Sequence, residues 1–96
     1  DNIFSRQLEA LGKSGDVLIV ISTSGNSINI KKAILTANSM GIESIGLLGK
    51  DGGSAAKLLS KKIIIPSYAT ARIQELHILI GHMIVDLIEH NLGLVI

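Results

Sequence analysis

Cysteine is absent from this 96-residue chain, which excludes disulfides, thiolate metal sites and thiol nucleophiles together. That absence fits a reducing compartment. Aromatic residues are nearly missing too: one Phe and one Tyr leave Ile, Leu and Ala to fill a core. Neither sign of charge dominates, and a formal net charge of +1 with interspersed signs gives no electrostatic footprint for nucleic acid or an anionic membrane surface. No apolar run approaches the roughly 18 residues of a membrane span, and the N-terminus carries no signal-peptide pattern. The expectation is a soluble, cytoplasmic protein whose partners include neither nucleic acid nor membrane.

What is present is apolar and regularly patterned. An apolar fraction of 47% with a positive mean hydropathy exceeds what a globule of this size hides easily, since small domains bury a smaller share of their surface. The excess predicts elements buried on both faces, or a large oligomer interface. One domain, 1–96, is the upper limit. The first residue is Asp1, and "DNIFSRQLEALGKSG" reads as an amphipathic helix ending near Gly12, so the chain reads as part of a longer polypeptide.

Val17 to Ile21 is a continuous β-branched and aliphatic run, the pattern of a strand covered on both faces in a parallel sheet. Beyond a polar loop, Ile30, Ala33, Ile34 and Ala37 recur at helical spacing, with Gly41 as the helix stop. Ser44 to Leu48 reads as a second buried strand ending in the turn Gly49-Lys50-Asp51-Gly52-Gly53. Ala55 to Leu59 reads as a short helix, and Lys61 to Ile65 as a third strand closed by Pro66, the only proline. From about Thr70 to Asn91 one long helix presents Ile73, Leu76, Ile80, Ile84, Leu87 and Ile88 on a broad apolar face. Strict alternation of helix and strand predicts an α/β fold, a parallel sheet with right-handed crossovers. Three strands are few for an open doubly wound sheet.

In open α/β sheets ligands bind beyond the carboxyl ends of the strands, where loops lead into helix N-termini. Ser22-Thr23-Ser24-Gly25-Asn26-Ser27 lies there. A helix N-terminus offers unpaired N–H groups and a partial positive charge, Ser22, Thr23, Ser24 and Ser27 add hydroxyl donors, and Gly25 lets the backbone approach closely. Together they form a phosphate cradle without a Walker lysine or a dinucleotide fingerprint. Ser24 or Asn26 as a simple helix cap is the alternative, but four hydroxyls in six residues exceed capping needs.

On the last helix His77 and His82, five apart, point about 140° away from each other. They do not easily serve one site, so one of them is structural or solvent-facing. Gln74 and His82 differ by about 80° and lie roughly 12 Å apart along the axis. That spacing permits a shared metal and equally fits a histidine satisfied in a core or interface. Glu75 suits a salt bridge to a nearby base, and Arg72 suits a phosphate or a carboxylate. Lys50 to Gly53 suits substrate contact or a plain turn. Lys61-Lys62 reads as a solvated strand entry, His90 as surface, and Leu92 to Ile96 as an apolar tail packed on a subunit or continuing into more chain.

"ISTSGNSINIKKAI" together with "TARIQELHILIGHMIVDLIE" resembles the SIS (sugar isomerase) domain, and within it the phosphoheptose isomerase group, from Asp1 to about Glu89. The chain resembles the C-terminal half of such a protein. The resemblance implies a flavodoxin-like αβα sandwich, here partial, and conversion of sedoheptulose 7-phosphate to D-glycero-D-manno-heptose 7-phosphate for bacterial heptose and lipopolysaccharide core synthesis. It implies a homotetramer with active sites between subunits. It further implies zinc held by Gln74 and His82, completed by a His and a Glu from the N-terminal half, with His82 as acid/base residue. If the chain stood alone, little activity is expected, since those partners lie elsewhere. The rival reading is a non-catalytic SIS domain that binds a sugar phosphate as a regulatory or protein-interaction module; the intact Ser-Thr-Ser pattern and His82 favour the enzyme.

Overall fold

The computed structural model describes residues 2–93. Helix α1 (Ile3–Leu11) leads into strand β1 (Val17–Ser22), helix α2 (Ile28–Ser39) into strand β2 (Glu43–Gly49), a 3₁₀ turn (Ser54–Leu58) into strand β3 (Lys61–Ile65), and helix α3 (Thr70–Asn91) follows. The order predicted from hydrophobic periodicity is the order observed. Only the short helix differs in kind, forming one residue earlier and as 3₁₀. The C-terminal residues 94–96 of the expected apolar tail lie outside the described residues.

The strands form one parallel sheet in the order β1-β2-β3, with Ile19 opposite Ile45 and Leu47 opposite Ile63. Because side chains alternate between faces, Val20 and Leu48 turn one way and Val17, Ile19 and Ile21 the other. Helix α2 covers the first face: Val20, Ile34, Leu48, Ala55 and Leu59 form one buried cluster, with Leu18, Ile30 and Ile64 packed against it. Each fully buried Ile or Leu stabilises the fold by about 1.5–3 kcal/mol. Helix α2 stops as expected at Gly41, whose φ of +74° follows the C-cap Met40. The Ile42 N–H donates to the Ala37 carbonyl at 2.9 Å and the Gly41 N–H to the Asn38 carbonyl at 3.4 Å, the paired bonds of a Schellman ending.

Two glycines let the central strand be covered closely. A Cβ at Gly46 would lie 2.2 Å from Leu59 Cδ1, and one at Gly49 would lie 2.6 and 2.7 Å from two carbons of Ile73. Ile73 and His77 are the buried residues of α3, so this helix is seated by its first turns over the end of β2.

The expectation that β1 is covered on both faces is not met among the described residues. Val17, Ile19 and Ile21 are 55%, 41% and 56% exposed, because α3 crosses near the strand ends and leaves that face open. The apolar face of α3 is likewise only partly used: Ile73 is buried, Ile80 and Ile84 are half-buried, and Leu76, Leu87 and Ile88 are exposed.

Candidate functional site

The loop after β1 is built from its own hydroxyls. Ser22 Oγ accepts from the Gly25 N–H at 3.0 Å, Ser24 Oγ from the Asn26 N–H at 3.2 Å, and Ser27 Oγ from the Ile30 N–H at 3.5 Å. Ser27, rather than Ser24 or Asn26, is the N-cap of α2. In each bond the hydroxyl acts as acceptor. A serine that accepts still carries its own O–H hydrogen, so the loop is held by lone pairs while its donors stay free. The α2 N-terminus adds the unpaired N–H groups of a helix's first turn.

This loop faces α3 across a cleft of about 750 Å³. Ile21, Ser22, Thr23, Ser27 and Ile30 form one wall, Gln74, His77, Ile78, Gly81 and His82 the other, and Phe4 of α1 also lines it. Of the six residues singled out for phosphate, metal or proton transfer, the structure brings Ser22, Thr23, Ser27, Gln74 and His82 to one cleft. Ser24 does not line it. Five side chains from opposite ends of the chain meet because the parallel crossover returns both elements to the carboxyl end of the sheet.

The two histidines of α3 have the different environments that their angular separation predicts. His77 is 2% exposed and its ring Nε2 lies 2.7 Å from the Leu48 carbonyl oxygen. A carbonyl only accepts, so Nε2 carries the hydrogen and donates, which leaves Nδ1 as the bare acceptor; it is buried with no partner among the described residues. His77 is therefore the structural histidine. His82, like Gln74, is exposed to the cleft. Arg72 donates to the Glu75 carboxylate one turn on, which gives both residues a partner away from the cleft walls. Among the described residues no group of three or more His, Cys, Asp or Glu is placed to hold a metal ion; Gln74 and His82 offer one oxygen and one nitrogen donor, two of the four that a zinc site needs.

The Lys50–Gly53 turn neither lines the cleft nor is a plain turn. It braces the serine loop. A Cβ at Gly25 (φ +70°) would lie 2.0 Å from the Gly52 carbonyl oxygen, and one at Gly53 (φ +60°) 2.3 Å from the Ser24 oxygen, so only glycines permit this backbone contact. The Ala55 N–H donates to the Gly25 carbonyl at 2.9 Å. The Asn26 amide oxygen accepts from both the Ser54 N–H, at 2.9 Å, and the Ser54 hydroxyl, at 3.2 Å. Sequence reasoning did not find this brace; the Gly52-Gly53 doublet was its one visible signal.

A parallel α/β sheet whose hydroxyl-rich loop opens at the strand ends onto a cleft shared with a later helix belongs to the class of α/β ligand-binding domains. Within that class the assignment is specific: the family profile described as "SIS domain" matches residues 1–49, and the chain belongs to that family. It is 53% identical over 92 residues to the phosphoheptose isomerase of Sulfurimonas denitrificans, covering 96% of this chain and 47% of that protein. It is 55% identical over 91 residues to that of Clostridium acetobutylicum, covering 95% and 46%. The structure of a phosphoheptose isomerase from Neisseria gonorrhoeae superposes with a TM-score of 0.89 at 44% identity, over 93% of this chain and 50% of that one. The chain thus spans about half the length of the curated relatives it matches. Among the described residues no helix is long and apolar enough to cross a membrane.

Proposed function

We propose that this chain is the C-terminal half of a phosphoheptose isomerase, and that the complete protein interconverts sedoheptulose 7-phosphate and D-glycero-D-manno-heptose 7-phosphate in bacterial heptose and lipopolysaccharide core synthesis. The observation that carries the reading is the shared cleft: serine and threonine side chains on one wall, an exposed imidazole and an amide on the other. Similarity to proteins named phosphoheptose isomerase along nearly the whole chain supports the same choice.

Ser22, Thr23 and Ser27 with the α2 N-terminus bind the substrate phosphate, the end of the sugar that does not react. Ser24, expected in the same cradle, lies outside the cleft and acts by holding the loop, its Oγ accepting from the Asn26 N–H. Holding the phosphate positions the reacting carbons, so binding energy remote from the chemistry is used to orient it. The reaction takes a proton from C1, passes through an enediol(ate), and returns a proton to C2, while O1 gives up its hydroxyl hydrogen and O2 gains one as the carbonyl moves from C2 to C1. Exposed imidazole is suited to that transfer, and His82 is the residue assigned to it. Gln74 and His82 would hold zinc with further ligands from outside this chain, and their nitrogen and oxygen donors fit that ion. Bound zinc supplies a Lewis acid for the carbonyl and its developing oxyanion. The complete protein acts in the cytoplasm as a homotetramer, with the exposed apolar faces of β1 and α3 as the surfaces such an assembly and the preceding half would cover.

The test is conversion of sedoheptulose 7-phosphate by the complete protein, followed by NMR, against a His82→Ala variant at equal zinc. Conversion is expected in the natural protein and a loss of at least about 100-fold in the variant, with phosphate affinity retained. Phosphate binding without conversion by the natural protein would instead identify a non-catalytic sugar-phosphate-binding module.

A further inference from the structure

The serine loop consists of six small or polar residues with no apolar side chain to anchor it, so beyond the backbone contacts of Gly25 only polar side chains oppose its conformational entropy. Its internal bonds, from Ser22 and Ser24, tie it only to itself. Among the described residues two side chains of the loop reach another element: Ser27, which caps the helix that directly follows it, and Asn26, whose amide oxygen receives two donors from Ser54, 28 residues further on. Asn26 is exposed and stands outside the cleft. Its amide orientation is dictated, because a backbone N–H can only donate and the atom facing Ser54 must be the oxygen.

We propose that Asn26 is a positioning residue: stapled to the first residue of the 3₁₀ turn by Ser54, it holds the loop in the path that aims Ser22, Thr23 and Ser27 into the cleft. The inference rests on the phosphate-loop reading above. Without the staple the Gly25 and Gly53 backbones still fit, but the serine loop on either side of Gly25 samples other paths. The ligand must then order it, at a cost in affinity.

Ser54→Pro tests the staple from the side of the turn. Ser54 is the first residue of the 3₁₀ turn, and the preceding Gly53, at φ +60° and ψ −167°, lies outside the right-handed helical region that a following proline disfavours. Proline is tolerated at a helical first position, where its missing N–H has no helical partner. The substitution removes both donors to Asn26 and leaves the turn's own bonds intact. In the complete protein we expect Ser54→Pro and Asn26→Ala each to weaken binding of inorganic phosphate, measured by calorimetry, roughly 5- to 30-fold, with a small fall in melting temperature common to both, because each removes the bond made by the Ser54 N–H. The double variant should lose no more than either single one, since both cut the same contact. Unchanged phosphate affinity in both variants, losses that add in the double variant, or an equal affinity loss in a core variant remote from the loop with the same fall in melting temperature, such as Ile42→Val, would each overturn the staple. Wild-type protein that binds no phosphate would overturn the phosphate-loop reading itself, and this inference with it.

Discussion

His77 and His82 lie five residues apart on one helix and differ in almost every physical respect. The first is buried, with a ring N–H donated to the Leu48 carbonyl; the second faces the cleft. Their substitutions should separate accordingly. His77→Ala removes a buried side chain and leaves the space and the carbonyl it served unfilled, at a cost of about 2–4 kcal/mol. His82→Ala, at an exposed position, should change stability by no more than about 0.5 kcal/mol. Urea unfolding of the two variants checks the contrast, and equal effects would refute the structural assignment of His77. The ion pairs Arg72–Glu75 and Lys61–Glu43 are exposed on both sides. Each should contribute at most about 1 kcal/mol, falling with salt.

At the scale of elements, α3 is the member whose position matters most to the site, since it carries both Gln74 and His82. Its seat is narrow. Ile73 lies where Gly49 has no side chain, and His77 bonds the residue before that glycine. A Cβ at Gly49 would also meet the Thr23 backbone oxygen at 2.7 Å, so it would press on the helix and the serine loop at once. Gly49→Ala is therefore expected to destabilise by about 1–3 kcal/mol and to lower sugar-phosphate conversion by more than that loss of folded protein explains. Activity corrected for the folded fraction measures the difference. Full activity per folded molecule would mean that the site tolerates a shift of α3.

For the whole molecule the decisive quantity is surface left apolar. The described chain has a radius of gyration of 13.8 Å and extents of 39 × 34 × 21 Å, wider than the ~12.5 Å radius of a compact chain of this length. The excess comes from a thin sheet whose second face is covered only in part, at Leu47 but not at Ile19, Ile21 or Ile63, and from a 22-residue helix seated by its first turns. A chain with Ile19, Ile21, Ile63 and much of α3 uncovered leaves many large apolar side chains in water, and clustered exposure of that kind marks surfaces that a partner covers. Expressed alone, it should bind the dye ANS strongly, whereas the complete protein should bind it weakly. Equal weak binding would show that the apolar faces close on themselves.

Periodicity, punctuation and loop chemistry were all written locally. The β-branched run of β1, the 3.6-residue recurrence through Ile30 and Ala37, the Gly41 stop, Pro66 after β3 and the hydroxyl-rich loop could be read without tertiary information, because each depends on residues close in sequence. The 140° between His77 and His82 already required that one be structural, but not which: burial is decided by what lies across from the helix, here the Leu48 carbonyl. Meeting of Ser22, Thr23 and Ser27 with Gln74 and His82 was likewise beyond local pattern, since some fifty residues of chain intervene and only the parallel crossovers return them to one sheet end. The brace of Asn26 and Gly25 on Ser54 and Gly52 is the same kind of fact. Glycine doublets mark turns wherever they occur, and only the packing of two loops against each other decides that these exist to let backbones touch.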